Sequence, residues 1–415
     1  MTNGGSTQKA NQALTVWEFN SQVVNWPSMI GRDAMTELQQ LAQLFKAVAV
    51  VGPRQSGKTT LVRHAFPDKP YVSLENPDIR LFAEEDPRGF LAQYPAGAVL
   101  DEAQRAPLLF SFLQQLLDEH KEKGQFILTG SNNFLLQENI SQSLAGRIGY
   151  LFLLPFSMQE LKQAGKLPHN VNEMMFRGCY PPIYDQEIAP ERWYPNYLRT
   201  YVERDVRQIK NISNLGAFER FLKLCAGRIG QLLNLSSIGI EAGVDHKTIA
   251  SWISVLETSF IIYLLRPHHQ NFNKRVVKIP KLYFYDTGLV CSLLGIQMQG
   301  QLEVHPLRGN LFENLIISDL VKARYNQGNT GDLYFWRDNT GNEIDVIIDK
   351  GTTLYPVEIK AGSTVTSSYF KSLEFWKALT QTVQGTVVYS GHHHQKRSSG
   401  NDVLPWDQVD SLVHR

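Results

Sequence analysis

The sequence has little of several things, and each shortage excludes something. Its three cysteines, Cys179, Cys225 and Cys291, lie far apart with no CxxC pair. That argues against a disulfide framework or a thiolate zinc site and fits a reducing compartment. Long apolar runs are missing too. The most apolar stretch, Ile148 to Phe156, is far short of the ~20 residues a membrane helix needs. The N-terminal stretch Met1 to Gln8 lacks the basic and apolar segments of a signal peptide. Together these predict a cytoplasmic chain with no membrane partner. Charge of one sign is also scarce, since 41 basic residues face 40 acidic ones for a net charge of +1. Contact with nucleic acid must therefore rest on local basic patches. No internal repeat or low-complexity tract is visible. What remains, 43% apolar and 20% charged residues over 415 positions, describes a folded chain of two to four domains.

The most informative stretch is Ala47-Val-Ala-Val-Val51 followed by Gly52-Pro-Arg-Gln-Ser-Gly57-Lys58-Thr59-Thr60-Leu61. A β-branched run reads as a buried strand. The glycine-bracketed run after it fits the G-x-x-x-x-G-K-[ST] phosphate loop without a gap. Phosphates need backbone N–H groups at close range, and the positive end of the next helix adds its field. Gly52, Gln55, Ser56, Gly57, Lys58, Thr59 and Thr60 are thus the candidate ATP-binding residues. Lys58 reaches the β- and γ-phosphates, and the Thr59 hydroxyl ligands Mg2+. Arg54, inside the loop, contacts phosphate or packs locally.

Short apolar strands then recur with helices between them: Pro70–Leu74, Gly97–Glu102, Gln125–Ser131 and Ile148–Leu154. With the first strand they make five, which predicts a parallel α/β sheet covered on both faces. Residues 157 to 265 read as almost wholly helical. Within them Ser236–Ala242, a turn at Gly243-Val244 and Thr248–Glu257 read as a helix-turn-helix, with a wing at Phe260–Arg266. Strand signals return from Leu282–Asp286. The order after Arg308–Ala323 is helix, three strands, helix, strand, and the end from Gly391 reads as polar.

Further pieces surround the loop. Asp101, near the end of the strand Gly97–Glu102, would hold the Mg2+ shell, and Glu102 would activate the attacking water. Ser131 sits where a polar sensor touches the γ-phosphate or water, with Asn132 as the alternate. Arg147 precedes the fifth strand, where it reads as a finger into a neighbouring subunit's nucleotide or as an ordinary salt-bridge arginine.

These phrases, with Leu100-Asp-Glu-Ala-Gln-Arg-Ala-Pro107, Leu128-Thr-Gly-Ser131, Ser143-Leu-Ala-Gly-Arg147, Gly178-Cys-Tyr-Pro181, Tyr201-Val-Glu-Arg-Asp205 and Lys281-Leu-Tyr-Phe-Tyr-Asp-Thr-Gly-Leu289, resemble the prokaryotic AAA+-type ATPases that carry a C-terminal restriction-endonuclease-like domain. The resemblance implies ATP hydrolysis with Mg2+, assembly into rings or other homo-oligomers, and a role on DNA. It spans nearly the whole chain after residue 30. The implied division is a tail at 1–25, a P-loop AAA+ core at 26–155 and a helical lid at 156–215. A winged-helix-like domain at 216–267, a PD-(D/E)XK nuclease-like domain at 268–390 and a tail at 391–415 follow.

The C-terminal part has its own chemistry. Asp345 and then Glu358-Ile359-Lys360 form the D…E-x-K pattern of PD-(D/E)XK nucleases, with Ile344 in place of the motif's proline. Glu313 matches the acidic residue those enzymes often add. Glu358 and Lys360, two apart on a strand, face the same way. Glu313, Asp345 and Glu358 are the candidate Mg2+ ligands, and Lys360 the group that orients water or stabilises the charged transition state. Three readings follow: an ATP-driven enzyme that binds or cuts duplex or branched DNA, a non-cleaving motor or Holliday-junction binder, and a nucleotide-gated switch for a protein partner.

Overall fold

A computed structural model describes residues 29–130, 136, 140, 142–206, 212, 214–269, 276–380 and 384–412. Ser131, Asn132 and the N-terminal tail lie outside the described residues.

Five strands, β1 (Ala47–Val51), β2 (Tyr71–Ser73), β3 (Ala98–Asp101), β4 (Phe126–Thr129) and β5 (Ile148–Phe152), form one sheet in the order β2-β3-β4-β1-β5. Every pairing is parallel. β1 lies inside the sheet, between β4 and β5, and is wholly buried. Its alternation divides it between two cores: Val48 and Val50 pack with Leu38, Leu61 and Val62 on one face, and Ala47, Ala49 and Val51 join the larger cluster on the other. That is the period of two expected of a strand covered on both sides.

The stretch after β5 is helical as expected, in short pieces. One of them begins at Met158 with a capping box between Ser157 and Glu160. At Gly178 the chain takes φ +64, and an added Cβ would lie 2.1 Å from the Tyr194 hydroxyl. Only glycine fits there. Asp286 stands opposite and accepts from the Cys179 N–H at 2.6 Å, the Tyr194 hydroxyl at 2.6 Å and the Leu289 N–H at 3.0 Å. Two of the distinctive sequence phrases are thus a single buried joint.

Helices Leu215–Ala226, Leu235–Ala242 and His246–Thr258 precede a hairpin of β6 (Ile262–Leu265) and β7 (Lys281–Phe284). Gly243 closes the second helix in the left-handed region, and Asp245 caps the third. The expected helix-turn-helix spacing is therefore present. The expected boundary at 267/268 is corrected, because β7 pairs with β6 and not with the C-terminal sheet. Lys281-Leu-Tyr-Phe is hydrophobic enough for either sheet, and only the antiparallel register Leu264↔Leu282 places it.

The C-terminal sheet has six strands in the order β12-β13-β11-β10-β9-β8: β8 (Leu333–Arg337), β9 (Glu343–Asp349), β10 (Leu354–Lys360), β11 (Thr386–Tyr389), β12 (Gln395–Lys396) and β13 (Asp402–Pro405). The expectation of a tail from 391 is corrected here too. Val403, Leu404 and Trp406 are buried, and β13 pairs in parallel with β11. The apolar run is short and sits among polar residues, so its strand character comes from an edge that needs pairing. Helix Arg308–Tyr325 joins the parts. It is buried on most of its circumference, with Asn314, Ser318, Asp319 and Lys322 among its buried residues. It meets the ATPase side through Asp319, which accepts from the Met158 N–H at 2.7 Å, and through Asn326, which donates to Glu160 at 3.4 Å.

Candidate functional site

β1 runs straight into the phosphate loop. At Gly52 the φ is +154 and an added Cβ would lie 2.1 Å from the Leu153 carbonyl, so no side chain fits. Gly57, at φ +92, starts helix Lys58–Ala65 in the left-handed region. The helix therefore presents its unpaired first-turn N–H groups at the loop. Lys58 is buried and donates to the loop's own Gly52 and Pro53 carbonyls at 3.0 and 2.7 Å. Thr59 donates to Asp101 at 3.2 Å.

Asp101 is held by more than the motif foresaw. The Tyr71 hydroxyl donates to it at 2.6 Å, and Thr129, at the end of β4, donates as well. Burial and the facing Asp101 carboxylate both push the Tyr71 phenol pKa upward, so it stays a donor. The strand order could have found these two: β2 and β4 flank β3, so their C-terminal ends must border Asp101. Glu102 follows in the left-handed region at φ 56. This conformation costs roughly 1–3 kcal/mol for a side-chain-bearing residue. Gln104 Nε2 donates to the Glu102 carboxylate at 2.5 Å.

Arg32 is the largest omission from the sequence reading. Its guanidinium donates through Nε to Glu160 at 3.0 Å, through Nη1 to the Ser56 carbonyl at 2.7 Å and through Nη2 to the Leu154 carbonyl at 2.6 Å. It also lies 4.9 Å from the Phe156 ring centroid. Both charged side chains are almost fully buried, 5% and 0% exposed. Arg32 therefore fastens the back of the phosphate loop to the segment after β5. No short motif marks it, because its partners are up to 128 residues away.

The loop opens on a cavity of about 650 Å³, a volume suited to a nucleotide. Lys58, Thr59, Asp101 and Glu102 line it together with Phe156, Pro181, Pro182 and Tyr197, so charged groups and apolar surface share the one cavity. Thr59 and Asp101 offer oxygen donors side by side, which fits Mg2+.

Arg147 stands elsewhere. It immediately precedes β5, whose first residue, Ile148, pairs with Ala47 at the opposite end of β1 from Gly52, about 17 Å along a five-residue strand. There it makes a two-pronged pair with Asp118 at 2.5 and 2.8 Å.

In the C-terminal sheet, Asp345, Glu358 and Lys360 do converge. Asp345 accepts from the Ile359 N–H at 2.8 Å. Glu358 pairs with Lys360 and accepts from Ser372 at 3.2 Å. Burial first, and Asp345 second, push the Glu358 carboxyl pKa up to about 8. Glu313 is engaged differently, by Lys281 at 3.1 Å and by the Tyr283 hydroxyl. Among the described residues no three carboxylate, imidazole or thiol side chains gather as a metal-binding group. The three-ligand expectation is therefore corrected: Glu313 faces an ammonium, because β7 brings Lys281 to it.

Three family models match the chain. Residues 44–162 match an AAA domain, residues 168–300 a domain of unknown function (DUF8612), and residues 308–409 another (DUF4143). A Mycobacterium tuberculosis protein described only as uncharacterized is 29% identical over 383 residues, covering 91% of this chain and 84% of its own. A Methanocaldococcus jannaschii protein, likewise uncharacterized, is 21% identical over 79% of this chain and 77% of its own. Among solved structures, the Walker-type ATPase of Pyrococcus abyssi aligns at 14% identity with a TM-score of 0.41, over 63% of this chain and 94% of that one. The AAA match takes in the phosphate loop, Asp101, Glu102 and nearly the whole parallel sheet, so residues 44–162 are an AAA-type P-loop ATPase domain.

Proposed function

We propose that this chain binds and hydrolyses ATP and acts on DNA, its nuclease-like C-terminal domain binding the DNA. The observation that carries the ATPase reading is the meeting of Thr59 and Asp101 across the mouth of the phosphate loop, with Glu102 lining the same cavity. Lys58 and the first-turn N–H groups hold the phosphates. Mg2+, when bound at Thr59 and Asp101, neutralises phosphate charge. Glu102 takes a proton from the water whose oxygen attacks the γ-phosphorus, and the bond to the ADP oxygen breaks. Arg147 cannot serve its own loop from the far end of the sheet, so a finger role requires a neighbouring copy in a homo-oligomer.

DNA is supported by the helix-turn-helix and hairpin, the elements of a winged helix. His246 and Lys247 are exposed at the start of its second helix and Lys278 within its hairpin. A second reading, cleavage, is favoured by the convergence of Asp345, Glu358 and Lys360.

One assay addresses both. The protein is incubated with linear, single-stranded and four-way-junction DNA, with Mg2+ or Mn2+, with and without ATP, beside Lys58→Ala and Lys360→Ala. Binding with intact DNA supports the first reading, cleavage lost in Lys360→Ala the second, and no binding to any form at low salt sinks both. Lys58→Ala should weaken ATP binding about a hundredfold or more, the cost of removing a buried charged donor. Tyr71→Phe leaves Asp101 one donor short. Its Mg2+ requirement at fixed ATP should rise about 10-fold, and an unchanged Mg2+ titration would remove Tyr71 from the site.

A further inference from the structure

The acidic side chains of the C-terminal domain are gathered around an ammonium that the hairpin supplies. Lys281 is the first residue of β7 and only 3% exposed. Its Nζ lies 3.1 Å from Glu313 and pairs still more closely with Glu343. Tyr283, two residues on and so on the same face of the strand, donates to the same Glu313 oxygen. Glu343 is held from its other side by Arg337 at 3.2 Å. Asp345, next but one to Glu343 on β9, lies on the same face of that strand, and its charge favours the protonated Lys281.

The lysine is placed by its backbone. It pairs with Leu265 of β6 on one side and bridges to Leu232 on the other. Its ammonium also lies 5.6 Å from the Phe335 ring centroid. The backbone pairing fixes where the stem starts, and at 3% exposure the ammonium stays inside the cluster. Displacing it would leave a charge buried without its partners, a strongly unfavourable state. The carboxylates come from the C-terminal sheet and from helix Arg308–Tyr325, whereas the ammonium comes from the hairpin, so the cluster also clasps the two units together.

We propose that Lys281 is the resident cation of this pocket, taking the position among Glu313, Glu343 and Asp345 that a divalent ion would otherwise occupy. The domain then keeps its carboxylates compensated without metal, and its role on DNA is to bind and not to cut. This deepens the reading of the domain as nuclease-like and rests on it for the choice of Glu313 and Asp345, while Glu343 enters by its contact with Lys281.

Mn2+ binding tests it on the full chain without nucleotide, by loss of the free-ion electron paramagnetic resonance signal. The wild type should take up no Mn2+ that Asp345→Asn removes, up to about 1 mM, the weak end of carboxylate-built sites. Lys281→Met keeps the stem and drops the charge; it should gain one Mn2+ per chain, lost again when Asp345→Asn is added. One wild-type Mn2+ removed by Asp345→Asn overturns the proposal, as does a folded Lys281→Met that gains none. If Lys281→Met does not fold, the wild-type and Asp345→Asn pair decides alone. DNA binding in EDTA is read in parallel. Its loss with no Mn2+ site present would overturn the DNA reading and leave the resident cation standing.

Discussion

Glu102→Gln should leave ATP bound and lower turnover by about 10²–10⁴-fold, the usual worth of a positioned general base. The substitution keeps the side chain's shape and its ability to accept from Gln104, and removes only its basicity. The left-handed backbone at residue 102 is unchanged, so folding should be too. Lys58, Thr59 and Asp101 remain in place, and they carry affinity for the phosphates. The check is phosphate release beside the Kd of a fluorescent ATP analogue. A turnover within tenfold of wild type would take the base role from Glu102. A Kd that worsens along with turnover would place Glu102 in binding instead.

The second large effect belongs to Arg32. Arg32→Ala leaves the Glu160 carboxylate fully buried without its cation, and breaking such a pair costs about 3–5 kcal/mol. It also strips the donor from the Ser56 carbonyl, inside the phosphate loop. Stability and ATP affinity should therefore fall together. Denaturant unfolding followed in the ATPase domain measures the first, nucleotide titration the second. Arg32→Lys is the sharper variant. Arg32 reaches Glu160, Ser56 and Leu154 through three different nitrogens of one planar fork, and an ammonium cannot span those directions. Arg32→Lys should recover the charge and only part of the stability. Full recovery would show that charge alone matters, and the anchoring role would be withdrawn.

Tyr71 and Arg32 show why a site can be half legible. Glycines, Lys58, Thr59 and the Asp101-Glu102 pair lie in short runs whose spacing is set by backbone contact with phosphate. Such spacing survives in one dimension. Tyr71 and Thr129 come to Asp101 only because β2 and β4 are its neighbours in the sheet. Arg32 depends on a contact 128 residues away. The C-terminal pocket shows the converse. Asp345, Glu358 and Lys360 lie on adjacent strands of a meander, so their pattern predicted their meeting. Glu313 shares a motif with them, yet it faces Lys281, because a strand assigned to the wrong sheet brought a cation to it.

By itself the sequence determined the phosphate loop, the five strands with helices between them and the meander that carries Asp345 and Glu358. Those features rest on local backbone demands and hydrophobic period, which neighbouring residues carry. Only the tertiary structure decided that β7 belongs to the hairpin, that residues 402–405 complete the C-terminal sheet, that Arg147 stands at the far end from its own loop and that Lys281 pairs with Glu313 and Glu343. Each of these depends on which distant segment supplies a hydrogen-bonding edge or a countercharge, and no residue's immediate neighbours specify that.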